Sequence, residues 1–359
     1  LALVAAACAA LAASHESKAP ALVPAIHFSD VTAVSGLDFQ HSYGDRRLDN
    51  IIEGTGTGVC VFDYNNDGYL DVYFPNGKWT EGVSSPGDRD RKEKLKNHLF
   101  RNSGNGTFTD VTEQAGVGGS EYSIGCAAAD YDNDGNVDLL VLNYGRNELF
   151  HNDGNGRFTE VGAKAGLAGA HFSLSTVWYD YNNDGYLDLY VGNYVEYDAS
   201  KSRGYDPAAG YPGPLTYRGQ SNLLYRNNGD STFADVTKAM GVWKPEGRAI
   251  LLKNETQAAN HWITITPRLK FPTGARDAYG ARVTVVANGL RMIEDMIPTR
   301  GYLSAGDPRL NFGLGPADQA DLIEIRWPDG QVEQFKDVRG DRCVTYTHEA
   351  NARRPRGRR

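Results

Sequence analysis

The sequence predicts an all-β protein. A tandem array of four-stranded units forms a small or incomplete β-propeller-like domain, about three full blades plus a composite one, and a small β-rich, sandwich-like domain comes after it. Three observations carry this expectation. A nine-residue phrase occurs three times: DYNNDGYLD from Asp63, DYDNDGNVD from Asp130 and DYNNDGYLD from Asp180. Each phrase lies between short β-branched or aromatic runs that read as strands. Each also precedes a second phrase, NHLFRNSGNGTFTDVTEQAGV, NELFHNDGNGRFTEVGAKAGL or SNLLYRNNGDSTFADVTKAMGV.

Within the short phrase, oxygen-bearing side chains fall at positions 1, 3, 5 and 9, with Gly at position 6. Alternating carboxylates and amides around a glycine turn are the donor set of a hard, oxygen-seeking cation such as Ca²⁺. The first loop offers Asp63, Asn65, Asp67, the Tyr69 carbonyl and Asp71. The second offers Asp130, Asp132, Asp134, the Asn136 carbonyl and Asp138, and the third Asp180, Asn182, Asp184, the Tyr186 carbonyl and Asp188. An EF-hand shares the opening but needs a Glu at position 12 and flanking helices. Position 12 is here Phe74, Val141 and Val191, and the run after each loop is strand-like. An Asx-rich turn without metal is the plainer alternative. It leaves the clustered carboxylates repelling one another.

The strands come in a fixed order. GVCVFD, GCAAAD and STVWYD lead into the loops, and LDVYFPN, VDLLVLN and LDLYVGN lead out. HLFRN, ELFHN and LLYRN then meet a Gly/Asn hairpin turn and return as F-x-D/E-V. Four antiparallel strands repeated in tandem make a propeller blade. FSDVTAVSGL from Phe28 reads as a lone copy of a repeat's last strand, and AILLKNE (249–255) as its partner in a composite blade. Two long insertions, KWTEGVSSPGDRDRKEKLK and YVEYDASKSRGYDPAAGYPGPLTY, interrupt the first and third repeats. The charged one reads as a solvated excursion, and the aromatic one as either that or a recognition loop.

These repeats resemble FG-GAP/VCBS repeats with integrin-type calcium loops. From about Asn260 to Val338, NHWITITPRL, DAYGARVTVVANG, GYLSAGDPRLNFGLG and IEIRWPDGQVEQF resemble the ASPIC/UnbV domain. The order is that of the cartilage acidic protein family and its bacterial relatives, which carry more repeats, enough for about seven blades. The resulting division is 1–13 signal-peptide remnant, 14–27 linker, 28–255 repeats, 256–348 ASPIC/UnbV domain and 349–359 basic tail.

Composition fits this outline. Of 359 residues 40% are hydrophobic, and the 20 Tyr and 41 Gly suit short strands with tight turns. The net charge of −8 is concentrated in the loops and gives no reason to expect nucleic acid. The ARRPRGRR end reads as a disordered tail. LALVAAACAALAAS resembles the later part of a signal peptide, with lipidation of Cys8 as a lesser alternative; no segment is long enough to span a membrane. Cys60 and Cys126 lie three and four residues before their loops, which points them to opposite strand faces and argues against a disulfide between them. Catalytic and nucleotide-binding motifs do not appear. His27, His41, His98, His151, His171, His261 and His348 fall at unrelated repeat positions. Tyr64, Tyr131, Tyr181 and Trp178, beside the loops, read as blade packing ahead of a sugar-stacking surface, and Tyr302 and Asp307 as part of a Gly-Asp-Pro turn. The expectation is a secreted or otherwise extracytoplasmic protein with about three Ca²⁺ sites, binding a glycan or an extracellular protein. The alternative is a secreted enzyme acting at the propeller face or the domain junction.

Overall fold

The structure is a computed structural model that describes residues 29–92, 94–201, 210–242, 259–271, 274–297 and 309–349. The leader-like segment with Cys8, the composite strand at 249–255, Tyr302, Asp307 and the basic tail beyond 350 lie outside these residues.

Three antiparallel four-stranded units succeed one another. The first comprises β1 (Cys60–Phe62), β2 (Asp71–Phe74), β3 (His98–Asn102) and β4 (Phe108–Asp110). The second comprises β5 (Tyr122–Ala129), β6 (Asp138–Arg146), β7 (Glu148–Asn152) and β8 (Phe158–Glu160). The third comprises β9 (Ala170–Tyr179), β10 (Asp188–Asn193), β13 (Leu223–Asn227) and β14 (Phe233–Asp235), and β11 (Val195–Glu196) with β12 (Arg218–Gly219) forms a ribbon inside its insertion. The far end of β6 pairs with β9, Tyr144 opposite Phe172, and joins the second and third units into one sheet.

Alternation along the strands builds the packing between blades. In β6, Leu139 and Val141 point toward blade one and pack with Phe62, Tyr73 and Leu99. Leu140 and Leu142 point the other way and pack with Trp178, Leu189 and Val191 of blade three. Both faces of a middle blade are therefore core, so β6 shows an unbroken apolar run where a one-sided strand would alternate. Tyr64, Tyr131, Tyr181 and Trp178 are all buried, at 8% exposure or less, which makes them packing residues and excludes a stacking platform there.

The same geometry corrects the cysteine reading. Cys60 and Cys126 form a disulfide, with Cα atoms 5.9 Å apart. Blades stack face to face, so the front of β1 meets the back of β5. Residues of opposite parity are the ones that face each other. Cys343 is an exposed free cysteine.

Two further readings change. In the described part of the FSDVTAVSGL copy the chain forms a helical turn, α1 (Thr32–Ser35), and no strand. It matches α2 (Thr112–Ala115), the turn that closes the first full repeat. Gly36 lies so close to the Phe108 carbonyl that a Cβ would collide with it. The charged insertion is only in part a solvated excursion: Glu81, Arg89 and Lys94 are exposed, but other residues anchor it. Trp79 is buried and donates to the Ser85 carbonyl at 2.9 Å. Arg46 pairs with Asp88, Arg91 donates to the Asp45 carbonyl, and Asp45 accepts from Ser85 N at 2.5 Å. Asp88 and Arg91 of the insertion are thereby tied to Asp45 and Arg46.

The second domain is two facing sheets. One holds β15 (His261–Phe271) flanked by β16 (Gly274–Asp277), β19 (Leu310–Gly315) and, in parallel, β22 (Arg342–Glu349). The other runs β18 (Leu290–Asp295), β17 (Arg282–Ala287), β20 (Gln319–Arg326) and β21 (Val332–Arg339). Ile263, Ile265, Val283, Val285, Phe312, Ile323, Ile325 and Trp327 fill the space between them.

Candidate metal centre

Each nine-residue phrase forms the connection between a blade's first two strands, and its backbone is shaped by two positions. The residues at position 4, Asn66, Asn133 and Asn183, have φ of 58°, 61° and 57°, and the glycines at position 6, Gly68, Gly135 and Gly185, have φ of 90°, 93° and 92°. Asn and Gly are the residues that enter this left-handed region at least cost.

The turn wraps the position-1 carboxylate. Asp63 accepts from Asp67 N (3.0 Å) and Gly68 N (2.9 Å), and Asp130 from Asp134 N and Gly135 N (both 3.1 Å). Asp180 accepts likewise from Asp184 N (3.1 Å) and Gly185 N (2.8 Å). The position-9 carboxylates of Asp71, Asp138 and Asp188 accept from the amides of Tyr64, Tyr131 and Tyr181 at 3.0–3.2 Å, and from those of Asn102, Asn152 and Asn227 at 2.7–2.8 Å. The position-5 carboxylates of Asp67, Asp134 and Asp184 take the amides of Tyr69, Asn136 and Tyr186. In all three loops the carboxylates at positions 1, 5 and 9 are thus held by backbone amides of the turn and its neighbouring strands.

Loops one and three match. At position 3 the Asn65 amide donates to Asp67 (3.0 Å) and the Asn182 amide to Asp184 (2.8 Å). Loop two differs: Asp132 stands there, and its Oδ1 is buried without a hydrogen-bond partner. Ligand oxygens of Asp130, Asp132 and Asp134 lie within 4.8 Å of one another.

Burial without compensating charge raises the carboxylates. Asp130 is pushed up to about 8 by burial and then by Asp138, Asp134 and Asp132. Burial first also lifts Asp71 and Asp180 to about 7 and Asp188 to about 8. Carboxylates in this state, with an orphaned inward oxygen in loop two, fit a divalent cation by the chemistry of their donor set.

Sequence reasoning missed His151. It lies on β7 with Nδ1 3.4 Å from Asp132 Oδ2 and 3.3 Å from Asp138 Oδ1. Asp138, then Asp132 and Asp134, push it up to about 9 against the effect of burial. The signal was in the repeats: HLFRN and LLYRN carry Arg101 and Arg226 where ELFHN carries His151.

The second domain sits on the loops. Arg326 donates to Asp63 Oδ2 at 3.1 Å, and Arg282, held by Asp295, donates to Asn66 at 2.5 Å. Gly315 N donates to the Asn183 carbonyl (3.1 Å) and Asn260 to the Asn182 carbonyl (3.2 Å). At Gly313 a Cβ would collide with Asp180 and the Asn183 backbone, so this approach requires glycine. Away from the loops, Lys96, Glu113, Arg146, Glu148 and Glu160 line a cleft of about 450 Å³ between blades one and two.

Comparison with known proteins identifies the repeats and the second domain. Residues 83–141 and 130–191 match the FG-GAP-like repeat, and residues 272–353 match the family described as ASPIC and UnbV. Cartilage acidic protein 1 of Xenopus tropicalis is 28% identical over 319 residues, covering 82% of this chain and 45% of its own length. The mouse and human proteins of that name are each 27% identical over 275 residues, covering 67% of this chain and 39% and 38% of theirs. The chain therefore spans less than half the length of these curated relatives. A solved Agrocybe aegerita lectin, described as recognising non-reducing terminal N-acetylglucosamine, is 15% identical over 77% of this chain and 51% of its own, with a TM-score of 0.27. That likeness is too distant to bear on fold or ligand. The chain is an FG-GAP-like repeat protein with a C-terminal ASPIC and UnbV domain, the architecture of cartilage acidic protein 1.

Proposed function

We propose that the chain is an exported, calcium-dependent binding or adhesion module. The observation that carries this reading is a buried, raised carboxylate in each loop, Asp71, Asp130 and Asp188, with Asp130, Asp132 and Asp134 clustered in loop two. Asp63, Asn65, Asp67, Asp71 and the Tyr69 carbonyl would hold one Ca²⁺. Asp130, Asp132, Asp134, Asp138 and the Asn136 carbonyl would hold a second, and Asp180, Asn182, Asp184, Asp188 and the Tyr186 carbonyl a third. The ion would neutralise the loop and tie two strands together, so its binding energy is folding energy.

Recognition of an extracellular glycan or protein falls to the other end of the strands. There the aromatic insertion adds Tyr194, Tyr197, Tyr211 and Tyr217 to a cluster with Tyr122 and Phe172, and the turn Pro214–Thr216 leaves Leu215 fully exposed. Export is supported by the Cys60–Cys126 disulfide, a bond of oxidising compartments, and by relatives named for cartilage. Among the described residues no helix is long and apolar enough to cross a membrane.

The test is a screen of the Ca²⁺-loaded chain on arrays of glycans and extracellular proteins, repeated with chelator and with Leu215→Asp. Binding that needs Ca²⁺ and is lost in Leu215→Asp, with calcium content unchanged, supports the proposal. Turnover of a polysaccharide or ester, abolished by a change outside the loops, would replace it with an enzyme.

A further inference from the structure

We propose that the middle loop binds its cation with a nitrogen ligand, His151 Nδ1, and so retains a first-row transition ion of the Zn²⁺ type in the presence of Ca²⁺, whereas its two sister loops do not. This rests on the reading of the loops as cation sites and narrows it for one of them.

Two exchanges coincide in the second repeat. At position 3, Asn65 and Asn182 are matched by Asp132; on the strand after the loop, Arg101 and Arg226 are matched by His151. The first exchange adds an anionic oxygen. The second removes a cation that cannot ligate and supplies an imidazole that can. With a neutral imidazole the local charge falls by about two units relative to the sister loops. Both changes favour a divalent ion, and imidazole favours Zn²⁺ and its neighbours over Ca²⁺.

The geometry matches a shared ligand sphere. Donor atoms of Asp132, Asp138 and His151 all lie within 4.8 Å of one another. His151 Nδ1 is 3.4 Å from Asp132 and 3.3 Å from Asp138, at ion-pair distance from both, and this buried atom makes no well-aligned hydrogen bond. An ion with bonds of about 2.1 Å to nitrogen and oxygen spaces neighbouring ligands by roughly 3.0–3.4 Å. The observed separations are of that size. The Asp132 and Asp138 side chains are 11% and 1% exposed, so water competes weakly. Tyr131 packs edge-on against the imidazole, ring centres 6.4 Å apart, and limits its rotation. Asp132 also accepts from Ser231 Oγ at 3.3 Å, which orients the carboxylate from the next blade.

The experiment dialyses the full chain against millimolar Ca²⁺ with Zn²⁺ buffered at nanomolar free concentration, and measures both metals per chain by mass spectrometry. His151→Arg and Asp132→Asn are the variants, because the sister repeats fold with those residues in place. The wild type should keep one Zn²⁺ beside its Ca²⁺, and each variant should bind Zn²⁺ at least about tenfold more weakly while keeping Ca²⁺. Co²⁺ in place of Zn²⁺ should give a visible spectrum that changes in His151→Arg. Calcium retained without zinc in the wild type would overturn this inference alone and leave His151 as a counter-ion to the carboxylates. Zinc retained equally by both variants would overturn it as well, since the ion then sits elsewhere. Retention of neither metal would overturn the cation reading of the loops and this inference with it.

Discussion

Reduction of the Cys60–Cys126 bridge is expected to cost the repeat domain about 4 kcal/mol. The bond joins residues 66 apart in sequence. Closing a loop of that length removes chain entropy from the unfolded state worth roughly 4 kcal/mol at 25 °C. For a domain of 150–250 residues each kcal/mol moves the melting temperature by about 2–4 °C, so reduction should lower it by about 8–16 °C. Replacing both cysteines with alanine should cost about 1 kcal/mol more, because Cys60 is buried in the core cluster that holds Phe62 and Tyr73. The comparison is made by circular dichroism at saturating Ca²⁺, with and without reductant. A Cys343→Ser background keeps the exposed thiol from exchanging. A non-reducing digest should yield the linked peptide pair containing residues 60 and 126. Superimposed melts, or a digest without that pair, would refute the face-to-face stacking on which the bond depends.

Chelation should lower the melting temperature and raise protease susceptibility. Calcium at about 100 times its dissociation constant contributes about 2.7 kcal/mol per site, and melts that overlay with chelator and with millimolar Ca²⁺ would end the metal reading. Glu53 is 0% exposed with Oε1 unpartnered, and burial pushes it up to about 8 from 4.5. A raised acid adds stability that is complete below about pH 4.5 and lost as pH rises through about 8. Glu53→Gln should therefore flatten the fall between pH 5 and 8.5 by about 1.4 kcal/mol per pH unit, the cost of burying the amide adding only a pH-independent offset; parallel urea-stability curves would contradict this. Arg326→Ala removes the guanidinium beside Asp63 and should tighten calcium binding in loop one severalfold, an effect that titration calorimetry would find missing if the second domain does not seat there.

Most of the architecture was legible because the repeats state it three times. The loop phrase fixes its own turn, since Asn at position 4 and Gly at position 6 adopt the positive φ that the wrap needs. The hairpins after β3, β7 and β13 were equally plain from Gly and Asn between strands. The features that escaped the sequence depend on relations between repeats. Strand parity was argued within one sheet, whereas Cys60 and Cys126 belong to facing sheets. Asp45, Asp88, Arg46 and Arg91 look like solvated charges one at a time; folded, they pair with each other and with buried backbone. His151 was set aside because the histidines were compared with one another, not with the arginines in the same column. The contact between Gly313 and loop three joins segments far apart in sequence, and no periodicity reports it.

The loops are joints as well as turns, and this bears on how binding and folding are linked. Asn152, at the end of β7, donates its side-chain amide to the Tyr64 carbonyl of loop one at 2.8 Å, while its backbone amide holds Asp138 of loop two. Asn227 repeats the arrangement with the Tyr131 carbonyl of loop two and with Asp188 of loop three. The loops also touch directly: Asn66 reaches Asn136 at 3.0 Å, and Asn133 reaches the Gly185 carbonyl at 2.9 Å. A second ladder, Asn97 to Ser123 and Asn147 to Ser173, crosses the same seams nearer the other end of the strands. Loops one and two are therefore held in shape partly by the blade after them, and loop three by the second domain. In a stack of this kind stability is a sum of unit and interface terms, and a ligand that orders one loop favours the seam on either side. Calcium in the loops would act along the whole array, which is why a partner at the far end of the strands would depend on it without touching it.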